Sequence, residues 1–119
     1  FKPEADLFLD LKGSEEEAFE KKLVLEINNQ SRSPVLFGDE MTLLRIDGME
    51  MTEVPVNPDV IWNSITYQVS SGSYKALTVD LERLYGELES GRYRIIKGVR
   101  PVGGGRRELY ADFIVGPRE

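Results

Sequence analysis

Apolar side chains fall on every second position along several stretches of this chain. Leu7, Leu9 and Leu11 alternate with Asp6, Phe8 and Asp10, and Leu23, Leu25 and Ile27 alternate with Lys22, Val24, Glu26 and Asn28. Leu77, Val79 and Leu81 alternate with Thr78 and Asp80, and Leu109, Ala111, Phe113 and Val115 alternate with Glu108, Tyr110, Asp112 and Ile114. A period of two sends successive side chains to opposite faces of an extended backbone, so each stretch predicts a strand with one buried face. Turn signals separate them. "KGSEEE" divides the first two strands, "NNQSRSP" follows the second, "VNPD" breaks the chain near its middle, and "SSGS" separates residues 60–70 from 75–81. Asp47-Gly48 suits a tight hairpin, which predicts antiparallel pairing of residues 41–46 with 49–54, and "GGG" at 103–105 closes a last hairpin. Only residues 80–86 and 14–20 have the makings of a helical turn.

Seven to eight short antiparallel strands in one domain spanning residues 1–119 predict an all-β, two-sheet sandwich of the immunoglobulin-like kind. A small closed barrel is the competing architecture, and alternation alone does not separate the two. Tyr93 does. In such sandwiches a tyrosine at the start of a late strand bonds backward to the main chain and pins the corner where the chain crosses between sheets. Leu88 is placed to insert into the core, Gly91 to supply an unusual backbone conformation, and Tyr93 to bury its ring while its hydroxyl finds a partner in the turn.

"LYGELESGRYRIIKGV" at 84–99, "YKALTVDLERLYG" before it and "ELYADFIV" at 108–115 resemble the bacterial immunoglobulin-like domain of exported, often lipid-anchored Firmicutes proteins of uncharacterised role. The resemblance extends more loosely to Ile65-x-Tyr67 and to "LFGDEMTLLR", and covers most of the chain from Leu23 onward. The chain departs from the pattern at Ser71-Gly72, where a Pro-Gly turn is usual, and at Leu81, near a usual tryptophan. The resemblance implies the sandwich fold and a place in the bacterial envelope or outside the cell. It further implies an anchor through a segment removed from before Phe1. It supplies no catalytic residues.

Composition narrows the rest. Hydrophobic residues at 40% and charged residues at 30% suit a globular protein, and no apolar run is long enough to cross a bilayer. A formal charge of −6, from 21 acidic and 15 basic side chains, opposes binding to nucleic acid or anionic lipid. The sequence has no cysteine and no histidine, which excludes disulfides, Cys/His zinc sites and a Ser-His-Asp relay. The chain is therefore expected to be no enzyme and to need no cofactor.

Several motifs bear on chemistry. Glu15, Glu16 and Glu17 form a run that points in divergent directions into water, and neither they nor Asp39 with Glu40 match the spacing of a calcium loop. "VGGGRR" at 102–107 lacks the helix and the Lys-Ser/Thr of a phosphate loop and reads as a hairpin tip, yet Arg100, Arg106 and Arg107 make a local basic patch able to dock a carboxylate. Trp62, Tyr67 and Tyr74 are candidates for a sugar-stacking platform, although a lone tryptophan in a small sandwich more often belongs to the core. "NQS" at 29–31 fits the glycosylation acceptor pattern. Together these readings give a monomeric, non-enzymatic interaction or spacer module of a bacterial exported or cell-envelope protein, with a protein or glycan partner. The alternatives are a carbohydrate-binding module and a protease inhibitor that presents "SSGSY" or "PVGGGRR" as bait.

Overall fold

The computed structural model describes residues 7–12 and 22–116, with residues 7–12 and Lys22 described by their backbone alone. The expected turn at "KGSEEE", the helical turn at 14–20 and the run Glu15–Glu17 lie outside these residues. Nine strands are present among the described residues, all paired antiparallel. Strands β1 (Leu7–Lys12), β2 (Lys22–Asn29) and β7 (Ser73–Asp80) form a three-stranded sheet in the order β1-β2-β7. The larger sheet is built around β8 (Gly91–Pro101), the longest strand. One edge of β8 pairs with β9 (Arg107–Val115), and the other pairs with β4 (Thr42–Asp47) and then with β3 (Val35–Phe37). Beyond these lie β5 (Glu50–Val54) on β4 and β6 (Tyr67–Val69) on β3.

Among the described residues no ladder joins the two sheets, so they face each other as a sandwich rather than closing into a barrel. Alternation explains what lies between them. Leu23, Leu25, Ile27 and Val79 from the smaller sheet meet Val35, Leu43, Val69, Ile95, Val99, Leu109, Ala111, Phe113 and Val115 from the larger one, all buried. Each aliphatic chain removed from water in this way contributes about 1.5–3 kcal/mol.

The Asp47-Gly48 hairpin forms, with Asp47 opposite Glu50. The helical turn expected at 80–86 is the short helix α1 (Leu81–Tyr85), which begins where the Asp80 carboxylate accepts from the Arg83 amide at 3.2 Å and ends where the Gly86 amide donates to the Glu82 carbonyl. Of the segment 60–70, only Tyr67–Val69 is a paired strand. Residues 55–66 run irregularly beside the sandwich, held by the Asn57 amide on the Leu84 carbonyl at 2.7 Å and by the Asn57 side chain on the Arg83 carbonyl at 2.9 Å. Pro55 and Pro58 deny this stretch two of the amide donors a ladder would need.

β3 and β4 are one strand with an interruption. From Phe37 to Thr42 the chain advances five residues while β8, from Val99 to Ile96, advances three. The two surplus residues are taken up between Gly38 and Met41, where regular pairing stops.

Candidate functional site

Three buried polar side chains on the strands, Tyr93, Lys97 and Asn29, each reach a main-chain carbonyl. At the start of β8, Tyr93 occupies the inward phase it shares with Ile95 and Val99 and is buried. Its ring stacks on Phe113 at 5.7 Å between centroids. Its hydroxyl donates to the Glu89 carbonyl, four residues upstream, at 2.7 Å, and accepts from the Arg45 guanidinium at 3.0 Å. Arg45 also donates to the Ser90 carbonyl at 3.2 Å and lies 3.5 Å from the Glu89 carboxylate, so the corner is gripped from both the strand and its neighbour. Burial pushes the Tyr93 hydroxyl up, against the opposing pull of Arg45. Gly91 sits at φ 151°, and a Cβ there would stand 3.2 Å from the Arg45 guanidinium, so glycine serves both the backbone and the clamp. Leu88 packs partly buried against the core.

Lys97 is the second such group. It lies between Ile95 and Val99 on the inward face and is 2% exposed. Its ammonium donates to the Glu40 carbonyl at 2.9 Å and stands 5.4 Å from the centre of the Phe37 ring. The partner is the carbonyl freed by the interruption between β3 and β4, so the lysine supplies the hydrogen bond that the ladder omits there. Burial pushes its pKa down to about 8, with the carboxylates of Asp39 and Glu40 pulling the other way.

Asn29 is the third. It continues the phase of Leu23, Leu25 and Ile27, is fully buried, and donates from its side-chain amide to the carbonyls of Ser33 at 2.9 Å and Val69 at 3.0 Å. Its side-chain oxygen accepts from the Ser31 amide at 3.0 Å. Asn29 thus ties β2 to β6 in the opposite sheet. Both amide hydrogens are in use, which overturns the glycosylation reading of "NQS" for the folded protein.

The outward face of β8 carries the other charges. Arg94 forms a bidentate pair with Asp112 at 2.6 and 3.0 Å and lies 4.1 Å from the centre of the Tyr110 ring, and that hydrogen bonding holds the Asp112 carboxyl below its usual range. Farther along, Gly98 leaves the face bare. The Arg106 guanidinium lies directly over it, so close that a Cβ on residue 98 would overlap it. Arg106 reaches Glu108 only at 3.7 Å, and both side chains are largely in water. Arg100 is exposed and makes no ion pair among the described residues. These groups border a cleft of about 540 Å³ over the interruption, lined by Leu36, Gly38, Glu40 and Thr66 on one side and by Gly98, Arg100, Gly104 and Arg106 on the other.

The structure therefore brings Arg100 and Arg106 together and separates Arg107 from them. Arg107 pairs with the inward-facing Val99 and is half-buried, because neighbours on a strand point to opposite faces. The three aromatic candidates do not share a surface. Trp62 and Tyr67 pack against the core, Tyr67 stacked on Phe37 at 5.3 Å, whereas Tyr74 projects from the exposed part of β7 in the other sheet. Among the described residues no cluster of acidic side chains is arranged to hold a metal ion, and no helix is long and apolar enough to cross a membrane.

Sequence reasoning missed Lys97, Asn29 and Arg45. The signal was available for two of them: Lys97 follows Ile95 and precedes Val99, and Asn29 follows Leu25 and Ile27, each on the inward phase of an otherwise apolar run, whereas Arg45 shares its phase with Leu43 and the charged Asp47.

Comparison with known proteins agrees with this architecture. No curated protein matches the chain. The X-ray structure of Northeast Structural Genomics Consortium target SoR45 is similar, with a TM-score of 0.50 at 10% identity, covering 94% of this chain and 87% of that one. That likeness concerns the fold alone. The sequence pattern of the family described as bacterial Ig-like domain matches residues 3–114, reaching farther toward the N-terminus than the resemblance read from Leu23 onward. With nearly the whole chain matched and its strands paired as two facing sheets, the protein belongs to the bacterial Ig-like domain family.

Proposed function

We propose that this protein is a non-catalytic interaction or spacer module of a bacterial protein exported to the cell surface or envelope. The family supports this reading. The observation that carries it is the use of three buried polar side chains: Tyr93, Lys97 and Asn29 each serve a main-chain carbonyl, while the loosely paired charges of Arg100 and Arg106 lie on the outer surface. A module that acts as one folded domain and works as a monomer fits that arrangement.

The two alternatives lack the geometry they require. A sugar platform needs aromatic rings on a shared face, and Trp62, Tyr67 and Tyr74 are divided between core and opposite sheets. A bait loop needs an extended, projecting segment. The turn at 70–73 is closed by the Ser73 amide on the Ser70 carbonyl at 3.1 Å, and the tip at 101–104 by the Gly104 amide on the Pro101 carbonyl at 3.0 Å.

The test is protease accessibility of the full-length protein on intact cells of its bacterium. External protease is expected to remove a tag fused to this domain while a cytoplasmic marker survives. A tag that is protected until the cells are lysed, and that then fractionates with the cytoplasm, rejects the reading.

A further inference from the structure

In the cleft over the β3–β4 interruption, glycines replace side chains along the lining and charged groups stand beside them. Gly38 and Gly98 form its floor and Gly104 and Gly105 part of its rim. A glycine in the middle of a strand weakens it and marks a close approach of some other group. At Gly98 the approaching group is the Arg106 guanidinium, which occupies the space a side chain there would fill. The glycine therefore lets the sheet seat a cation on its outer surface, beside the unpaired Arg100.

Arg100 and Arg106 line the same cleft, where like charges repel, and the chain's net charge of −6 shows no shortage of acids to pair them with. Yet the described residues place only Glu108 near Arg106, at 3.7 Å, with both side chains more than 60% exposed. An ion pair so open to water exchanges readily with a better acceptor. Glu40 stands on the opposite lip, so the lining carries two positive charges and one negative. That balance matches a monoanion better than a phosphate dianion. The planar fork of arginine matches the two oxygens of a carboxylate. A volume of about 540 Å³ suits a ligand of one to a few amino-acid residues.

We infer that this cleft is a carboxylate-binding site, with Arg100 and Arg106 gripping the carboxylate and Glu40 excluding more highly charged anions. The inference rests on the binding role proposed above and gives it a location and a ligand chemistry. The carboxylate belongs either to a small free acid or to the end of a peptide chain.

The test is a titration of the ¹⁵N-labelled protein followed by amide chemical shifts. The probes are N-acetylglycine, an N-acetylated tripeptide with a free C-terminus, the same tripeptide as its amide, and inorganic phosphate. Both carboxylate probes are expected to shift amides at 36–40, 98–100 and 104–106, with the amidated peptide silent and phosphate weaker. Tighter binding of the tripeptide than of N-acetylglycine assigns the site to a chain end, and equal binding assigns it to a small acid. R100Q/R106Q is expected to weaken binding about tenfold or more, as the loss of a charge-assisted contact implies.

Gly98→Ala provides the variant that keeps the fold. Its methyl group displaces only the flexible end of Arg106, so the melting temperature is expected to hold or rise while binding weakens about three- to tenfold. The inference is overturned if none of the probes shifts these amides, if the amidated peptide binds as well as the acid, if phosphate binds tightest, or if the folded variants bind as the parent does. None of these outcomes bears on cellular location, so failure here is distinct from failure of the export reading.

Discussion

The two halves of β8 use similar residues to opposite ends. In the first half, Tyr93 and Arg45 answer each other and the carbonyls of Glu89 and Ser90, while on the outer face Arg94 is matched by Asp112 across the ladder. The polar groups there form a clamp. In the second half the inward side is also satisfied, since Lys97 takes up the Glu40 carbonyl. The outer side differs: Gly98 opens the floor, Arg106 lies over it loosely paired, and Arg100 stands without an ion pair among the described residues. A strand can thus be structural on one face along its whole length and reserve a surface of the other face for a ligand. Satisfied hydrogen-bond capacity marks the first use and unsatisfied charge the second.

The comparison is most strongly tested at the clamp. Tyr93→Ala removes a buried ring and both hydroxyl contacts, and should cost about 3–5 kcal/mol by denaturant unfolding. A loss below about 1 kcal/mol would contradict the assignment of Tyr93 as the pin of the corner.

The buried ammonium of Lys97 tests the other half. Its folded-state pKa of about 8 lies below the ordinary 10.5, so from pH 8 upward the unfolded chain binds more protons than the folded one. Stability should then rise with pH in that window, by about 1–3 kcal/mol, and be lowest below pH 8, where the ammonium is charged in both states. Tyr85 works in the opposite direction. Burial, with a smaller contribution from Glu53, pushes its pKa up to about 12, so the folded state keeps that proton as pH climbs above 10 and stability falls. The rise is therefore read between pH 8 and 10 by chemical denaturation, and Lys97→Met should flatten it. A parent protein with no slope in that window would show Lys97 to be solvated.

Tyr93→Phe sharpens the clamp. It keeps the ring and its stacking on Phe113 while removing the bonds to Glu89 and Arg45, and should cost about 1–2 kcal/mol. The smallest effect is expected at Tyr85→Phe. The Tyr85 hydroxyl is buried without a hydrogen-bond partner, so its removal should be neutral or stabilise by up to about 1 kcal/mol, and should lessen the fall in stability above pH 10, with Tyr93 supplying the remainder. Thermal unfolding at pH 7 and pH 10.5 checks both.

Much of the fold was legible in the sequence because alternation is a local property. Leu23, Leu25 and Ile27, and Leu109 through Val115, show their buried face without reference to any partner strand. The Asp47-Gly48 turn is equally local. The interruption at 38–41 was not legible, because it exists only as a mismatch of register against β8. The same holds for the site. Arg100, Arg106 and Arg107 are close in sequence and read as one patch, but the pleat sends Arg107 to the other face and the hairpin folds Arg106 back over Gly98.

The order of buried and exposed positions, the hairpin turns and the tyrosine ahead of its strand are set by neighbours within a few residues, and the chain alone determines them. Which carbonyls lose their ladder partners, and therefore which inward lysine or asparagine must answer them, depends on how distant strands align. That alignment, together with the cleft it leaves on the outer face, was decided only when the two sheets packed, because hydrogen-bond satisfaction is settled by the assembled backbone and not by sequence proximity.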